Sequence, residues 1–407
     1  MKSKFLLCLL FIFSIQPTAT AATIVETKAK VDLAYTGNEQ VSDLLLTPTS
    51  ISIIGTTENA TSNWISGNLN GRSDGFISTF SSVGAPLWNL RLGSANSEIA
   101  TSAAIDSDGS IWIVGASAQA VNNTPVPTPT KVLNPDNVVI EPIPGAPAAL
   151  NKLNLWQVSS SGQLLATYET QTTSVINPQK LIVTSTGLAI FGDLYEKSTI
   201  KGFFVSVSKA GLFNSPIKYG VKSTQFNSAI LNSDGSFTVV GRSSDALLKA
   251  KALSKGDAIS LKISSKGLLQ QVGRATLKST TRSWDSVSAG LLQGGLVKYS
   301  NKSEAAVTKF SAIGKPTWNA RYLSRSSALV ASGANSWATF VSNGAITGLS
   351  AWKPKTPTTV VLQLGKKGEV VTAHSLSGAP VAIARNNELG TVVITDSGTS
   401  FGLVLIN

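Results

Sequence analysis

Short stretches in which apolar and polar positions alternate, interrupted by glycine turns, run through almost the whole chain. In its clearest copies, Ile99 to Ser117 (IATSAAIDSDGSIWIVGAS) reads as two strands around Asp106-Ser107-Asp108-Gly109. Asp74 to Ser94 (DGFISTFSSVGAPLWNLRLGS) reads as two more around Ser81-Ser82-Val83-Gly84. Alternation with period two places Phe76, Ser78 and Phe80 on one face of a pleated strand and Ile77 and Thr79 on the other. Apolar residues on both faces suit a sheet covered on both sides. Four short strands per unit, repeated, predict the blades of a β-propeller.

Seven first hairpins can be counted, over Val41–Gly55, Ala100–Gly115, Gln179–Gly192, Asn227–Gly241, Asp285–Tyr299, Ala328–Val341 and Val381–Asp396. Only six second hairpins are found, turning at Gly84, Gly162, Gly211, Gly267, Gly314 and Gly368. The chain ends supply the missing one: Phe401 to Asn407 (FGLVLIN) reads as a third strand, and Lys28 to Gly37 (KAKVDLAYTG) as a fourth. Pairing them closes the ring and removes two open sheet edges. The expectation is an all-β, seven-bladed propeller of four-stranded blades with a three-plus-one closure.

The first 21 residues break this pattern. Lys2 and Lys4 precede the apolar run FLLCLLFIFSI and Ala19-Thr20-Ala21, as in a secretory signal peptide cleaved before Ala22. This predicts a leader over 1–21, a single propeller domain over 22–407, and a protein that is secreted or associated with the cell surface. The one cysteine, Cys8, falls in the leader, so disulfides, thiolate catalysis and cysteine-based zinc sites are excluded from the mature chain. Without Lys2 and Lys4 the formal charge falls from +12 to +10. Basic charge favours anionic partners such as acidic polysaccharide, wall polymer, anionic lipid or an envelope protein. Nucleic acid is the weakest of the candidates, because the basic residues are dispersed and not interleaved with aromatics. A monomer is expected.

Insertions interrupt the repeat between second and third strands. The largest, about 118–152, carries seven prolines from Pro125 to Pro147, a composition suited to extended, exposed chain. Smaller ones occur at Thr56–Ser73, Asp193–Ile200, Arg242–Lys255 and Ser342–Pro357. Strand alternation sends these loops to one face of the disc, together with the connections between blades. That face collects Trp64, Arg72, Tyr195, Lys197, Lys249, Lys251, Lys255, Trp352, Lys353 and Lys355. Aromatic rings can stack on sugars, and Lys and Arg pair with carboxylates or phosphates; the competing expectation is solvated charge, with aromatics pinning the loops.

Candidate chemistry is sparse. His374, the one histidine, lies on an outermost strand, which excludes a two-histidine metal site and disfavours a Ser-His-Asp triad. Glu39 and Glu98 occupy equivalent positions before first strands and read as part of the repeat. Asp106-Ser107-Asp108-Gly109 and Asn232-Ser233-Asp234-Gly235 read as hairpin turns; a calcium loop would need further carboxylates. No catalytic residue, metal or cofactor is expected. The competing expectation is a carbohydrate-active hydrolase or lyase that uses acidic residues brought together at the central channel.

The blades resemble the bacterial β-propeller repeat (SBBP-like) family, in which V-x-G is followed by D-[AG]-F-[IV]-x-[KT]-[FIL]-x-x-x-G-x-x-x-W. Asp74-Gly75-Phe76-Ile77-Ser78-Thr79-Phe80 through Trp88 fits, as does Ala305-Ala306-Val307-Thr308-Lys309-Phe310 through Trp318, and Gly256-Asp257-Ala258-Ile259 fits in part. The resemblance implies a propeller that is exported or surface-associated, and its repeat carries no catalytic residue to transfer. A weaker likeness is to quinoprotein-type repeats, whose blades also end in G-x-x-x-W. Only Trp88 and Trp318 keep that tryptophan and there is no eighth blade, so no quinone is expected. The function this implies is a non-enzymatic binding or scaffold module at the cell envelope.

Overall fold

Seven antiparallel sheets hold almost all the strands of the computed structural model, which describes residues 22–35, 38–118 and 149–407. The predicted leader and most of the Pro-rich insertion lie outside the described residues. Blade 1 consists of Gln40–Leu46, Ser50–Thr57, Asp74–Ser81 and Pro86–Leu92. Blades 2 to 6 begin at Glu98–Ile105, Val175–Thr184, Thr224–Leu231, Thr281–Ser288 and Leu329–Ser332. Blade 7 takes Ala379–Asn386, Gly390–Asp396 and Ser400–Ile406 from the end of the chain, and Val31–Ala34 as its fourth strand. Val31 faces Leu403 and Ala34 faces Ser400 in that antiparallel pair. First strands touch their neighbours all round, blade 7 against blade 1 included.

The alternation seen in the sequence becomes seven apolar layers, each between two blades. Phe76 and Phe80 pack with Val392 and Phe401 of blade 7, whereas Ile77 packs with Ala103 and Ile113 of blade 2. Further round, Phe191 and Phe204 of blade 3 meet Phe226 and Phe237 of blade 4. The second-hairpin glycines serve both their own turn and the neighbouring blade. All six adopt φ between 75° and 88°. A side chain on Gly162 would lie 2.6 Å from the Trp88 ring, and one on Gly368 would lie 2.8 Å from the Trp318 ring. The tryptophan of G-x-x-x-W therefore docks under the turn of the next blade.

The sequence pattern did not reveal a bulge that recurs in the first strands. Register slips at Ser42, Thr101, Gln179, Asn227, Asp285 and Val381 in six of the blades. Opposite the bulge in five blades stand Gly55, Gly115, Gly192, Gly241 and Gly295. A Cβ on any of them would run into the carbonyl oxygen of Gln40, Ile99, Asn177, Gln225 or Ser283 respectively. This close approach explains the V-x-G element. A bulge also leaves ladder amides unpaired, and the preceding blade supplies acceptors: Ala100 N donates to Thr56 Oγ1 (3.2 Å) and Phe226 N to Asp193 Oδ1 (2.8 Å).

Burial pushes the Asp193 carboxyl up to about 7, against the Phe226 amide and Arg242, which pull it down. The folded protein thus keeps a proton that the unfolded chain releases at the ordinary carboxylate pKa. Stability is greatest below that pKa and falls as pH rises toward 7. Asp193→Asn keeps an acceptor for Phe226 and removes the titration. Denaturant unfolding should show the variant gaining about 2 kcal/mol on the wild type between pH 5 and pH 8; parallel pH profiles for the two would refute this.

Two expectations need correction. Leu150–Val158 and Ile111–Ala118 are strands that pair at Ala118 and Leu150, so the Pro-rich insertion is shorter at both ends than 118–152. Asp193–Ile200 is not an insertion: the strands Gly187–Glu196 and Thr199–Val207 extend to a tight turn at Lys197-Ser198. His374 lies on the outermost strand of blade 6, Val370–Leu376, as expected, and part of that strand's edge is covered. Ile24–Glu26 adds a fifth, parallel strand there, and Thr27 Oγ1 lies 2.9 Å from His374 Nδ1. His374 is half-buried, and burial pushes its pKa down.

Candidate binding face

Because the strands alternate in direction, the loops between second and third strands and those between blades share one face. The predicted residues divide there into two groups. Trp64 and Trp352 are only 6% and 7% exposed. The Trp64 indole donates to Ala34 O (3.2 Å) and packs edge-on against Phe76 and Phe401. The Trp352 indole donates to Ser342 Oγ (2.9 Å) inside the apolar layer between blades 5 and 6. Neither ring offers a stacking surface, which corrects the expectation of a sugar platform; both pin their loops to the disc. Tyr195 is partly exposed, and burial pushes its phenol up while Asn177 and Gln225 pull it down.

Arg72, Lys197, Lys249, Lys251, Lys255, Lys353 and Lys355 are all exposed. None of them forms an ion pair among the described residues. Most carboxylates on this face are instead buried or already paired, and the exposed Glu58 accepts from the Asn38 amide (3.0 Å). Asp74 and Asp257 sit fully buried beside Arg91 (3.4 Å) and Arg274 (3.3 Å). Lys201 and Lys218 flank Glu196 and hold it down to about 2. Glu98 is buried and bonded to Ser94, with burial pushing its carboxyl up. The exposed charge on this face is therefore mainly positive.

Sequence reasoning missed a cleft on the same face. About 340 Å³ in volume, it lies between blades 5 and 6 and is lined by Lys298, Tyr299, Asn301, Lys302, Arg325 and Asn343, among others. Lys302 sits over the Tyr299 ring (4.6 Å to the centroid) and bonds Glu304 (2.8 Å), which also faces Arg321 (3.4 Å). Although burial works against it, Lys302, Tyr299 and Arg321 hold the Glu304 carboxyl below its ordinary range. Lys298 and Arg325 remain exposed and unpaired among the described residues. These residues lie in a short connection and at a strand end, where no motif marks them.

Along the channel the carboxylates are engaged by protein donors. Asp43 Oδ2 accepts from Ser102 Oγ (2.6 Å), Ala103 N (3.2 Å) and Lys180 Nζ (2.8 Å), tying blades 1, 2 and 3 together. Asp285 accepts from Asn227 (2.8 Å), Ser283 (3.0 Å) and Ser327, and burial pushes its pKa up. The two turn motifs are also filled by protein groups: Asp106 by Lys209, Ser107 and Trp112, and Asp234 by Lys262 and Ser236. No cluster of metal-ligating residues occurs among the described residues.

No family model matches the chain, and no curated protein matches it. Solved structures match it at the level of fold. A polysaccharide lyase described as a PL25 ulvan lyase aligns with a TM-score of 0.52 at 9% identity, over 94% of this chain and 96% of its own. The Dos1 propeller aligns with a TM-score of 0.45 at 9% identity, over 90% of this chain and 78% of its own. A Lactobacillus plantarum protein aligns with a TM-score of 0.46 at 12% identity, over 88% and 95%. At 9% identity the likeness to the lyase bears on the fold alone.

Proposed function

We propose that this propeller is an exported, non-enzymatic binding module of the cell envelope that holds an acidic polysaccharide on its loop-bearing face. The observation that carries the reading is the unpaired positive charge there, gathered at the cleft of Lys298 and Arg325 and continued by Lys353 and Lys355 on the neighbouring loop. Carboxylate or sulfate substituents of a glycan match these cations, and Asn301 and Asn343 offer amides to its hydroxyls. Tyr299 is covered by Lys302, which leaves little aromatic surface in the cleft for stacking nucleobases.

Binding to acidic and neutral glycans at two salt concentrations tests the reading. Lys298→Glu combined with Arg325→Glu should weaken binding of the acidic glycans at least about tenfold at low salt and leave the unfolding midpoint unchanged. Affinity that ignores both salt and the substitutions would refute it. Release of glycan fragments would replace it with a hydrolase or lyase acting at the channel carboxylates.

A further inference from the structure

The loops of blade 4 carry a second kind of surface. Leu248, Leu253 and Val221 are 60%, 76% and 67% exposed, and Lys222, Lys249, Lys251 and Lys255 are exposed beside them in the chain. Aliphatic side chains as exposed as these also stand singly at the second-hairpin turns, at Val83, Leu212, Leu268 and Ile313; in blade 4 three of them share two adjoining loops with four lysines. Here the backbone holds them out. Leu247 and Ala250 exchange hydrogen bonds (3.1 and 3.0 Å) around a two-residue tip, Leu248-Lys249, and Leu248 adopts φ of 50°. A bulky residue in that region is strained.

Beneath the tip is a rigid base of buried polar groups. The Asp245 carboxylate accepts the amides of Val221, Lys222 and Ser223 and the hydroxyl of Thr224. It thereby locks the loop between blades 3 and 4 against the longer loop of blade 4. The Arg274 guanidinium donates to the carbonyls of Ser243 (3.3 Å), Ala250 (3.2 Å) and Asp245. Asp257 accepts the Leu253 amide (2.8 Å) and the Ser254 hydroxyl (2.5 Å). Both acids of this base are buried, so no exposed negative charge offsets the four lysines.

We infer that this pad docks the propeller on an anionic phospholipid bilayer. Leu248, Leu253 and Val221 would enter the boundary between headgroups and acyl chains while the lysines meet lipid phosphates. Apolar side chains flanked by lysines on one preorganised surface match such an interface better than they match a hydrated glycan. The inference stands apart from the glycan reading: it uses blade 4, and the cleft lies between blades 5 and 6.

Sedimentation of the purified protein with vesicles of phosphatidylcholine alone, or mixed with phosphatidylglycerol, tests it. The wild type should bind the mixed vesicles only, and less as salt rises. Leu248→Ser with Leu253→Ser should lower the partition coefficient about tenfold or more. Lys249→Ala, Lys251→Ala and Lys255→Ala together should lower it about a hundredfold at low salt. Leu248→Gly should raise the unfolding midpoint by relieving the turn, yet weaken vesicle binding. Failure to bind the mixed vesicles overturns the inference, as does equal binding by the leucine variants. Loss of acidic-glycan affinity in the leucine variants, with vesicle binding intact, would assign the pad to glycan instead.

Discussion

Gly115→Ala is expected to lower the unfolding free energy by about 3 kcal/mol, far more than adding one methyl group to an open site. The new Cβ would collide with the Ile99 carbonyl oxygen and lie 2.8 Å from the Trp156 ring. Backbone cannot rotate aside as a side chain can, so relief requires opening the bulge that joins the first two strands of blade 2. Gly109→Ala provides the contrast. Nothing lies within 4 Å of its added Cβ, and the residue has φ of 83°, so the cost is the left-handed conformation alone, about 1 kcal/mol. Guanidinium unfolding of both variants, with the slope unchanged, measures the difference. Equal losses would mean that the bulge can adapt.

Arg274→Met should cost about 3–5 kcal/mol, because it strands a fully buried carboxylate. Asp257 is 0% exposed and the Arg274 side chain 6%. Burial opposes ionisation of Asp257, but Ser254, the Leu253 amide, Thr276 and Arg274 outweigh it and hold the carboxyl below its ordinary range. Its contribution to stability is therefore present above that range and is lost as pH falls through the folded pKa. Asp74 in blade 1 has the same geometry with Arg91, yet burial wins there and its pKa is raised. Two hydroxyls make the difference: Asp74 Oδ1 is buried without a partner, whereas Asp257 Oδ1 receives Ser254 and its carboxylate also receives Thr276. Denaturant unfolding at pH 7 and pH 4 should therefore show the loss in Arg274→Met shrinking at the lower pH, where protonation relieves the stranded acid. A loss that grows on acidification would contradict this account.

Much of the fold was legible because its units are local. Alternation and turn glycines act over a few residues, so the seven first hairpins and six second hairpins could be placed from the chain alone. What escaped depends on contacts across blades. Trp64 stands among polar residues, where nothing local decides between a stacking platform and a loop anchor; the loop folds back and packs it against Phe76 and Phe401. Ile24–Glu26 is too short for a periodic pattern, and only the free edge of blade 6 makes it a strand. The buried ion pairs do leave a trace in the sequence: Asp74 and Arg91, and Asp257 and Arg274, are each 17 residues apart. The lysines of the candidate face were found by loop position, whereas Lys298 and Arg325 come together across blade 5, from the end of its second strand and the residues after its fourth.

The outer strand of the last blade has a consequence for the order of assembly. Val31–Ala34 emerges ahead of every blade hairpin from a chain made or exported amino end first, but its partner is Ser400–Ile406. The nearby Tyr35 hydroxyl reaches Asp396, 361 residues away, at 3.0 Å. Six blades can form successively from neighbouring hairpins, while the seventh waits for Ser400–Ile406. Until then Val31–Ala34 has no ladder to join, and the interval is the period of greatest exposure to edge-to-edge association. A chain truncated before Ser400 would prolong that interval indefinitely, so loss of the strand Ser400–Ile406 should produce an open, self-associating ring rather than a slightly smaller propeller.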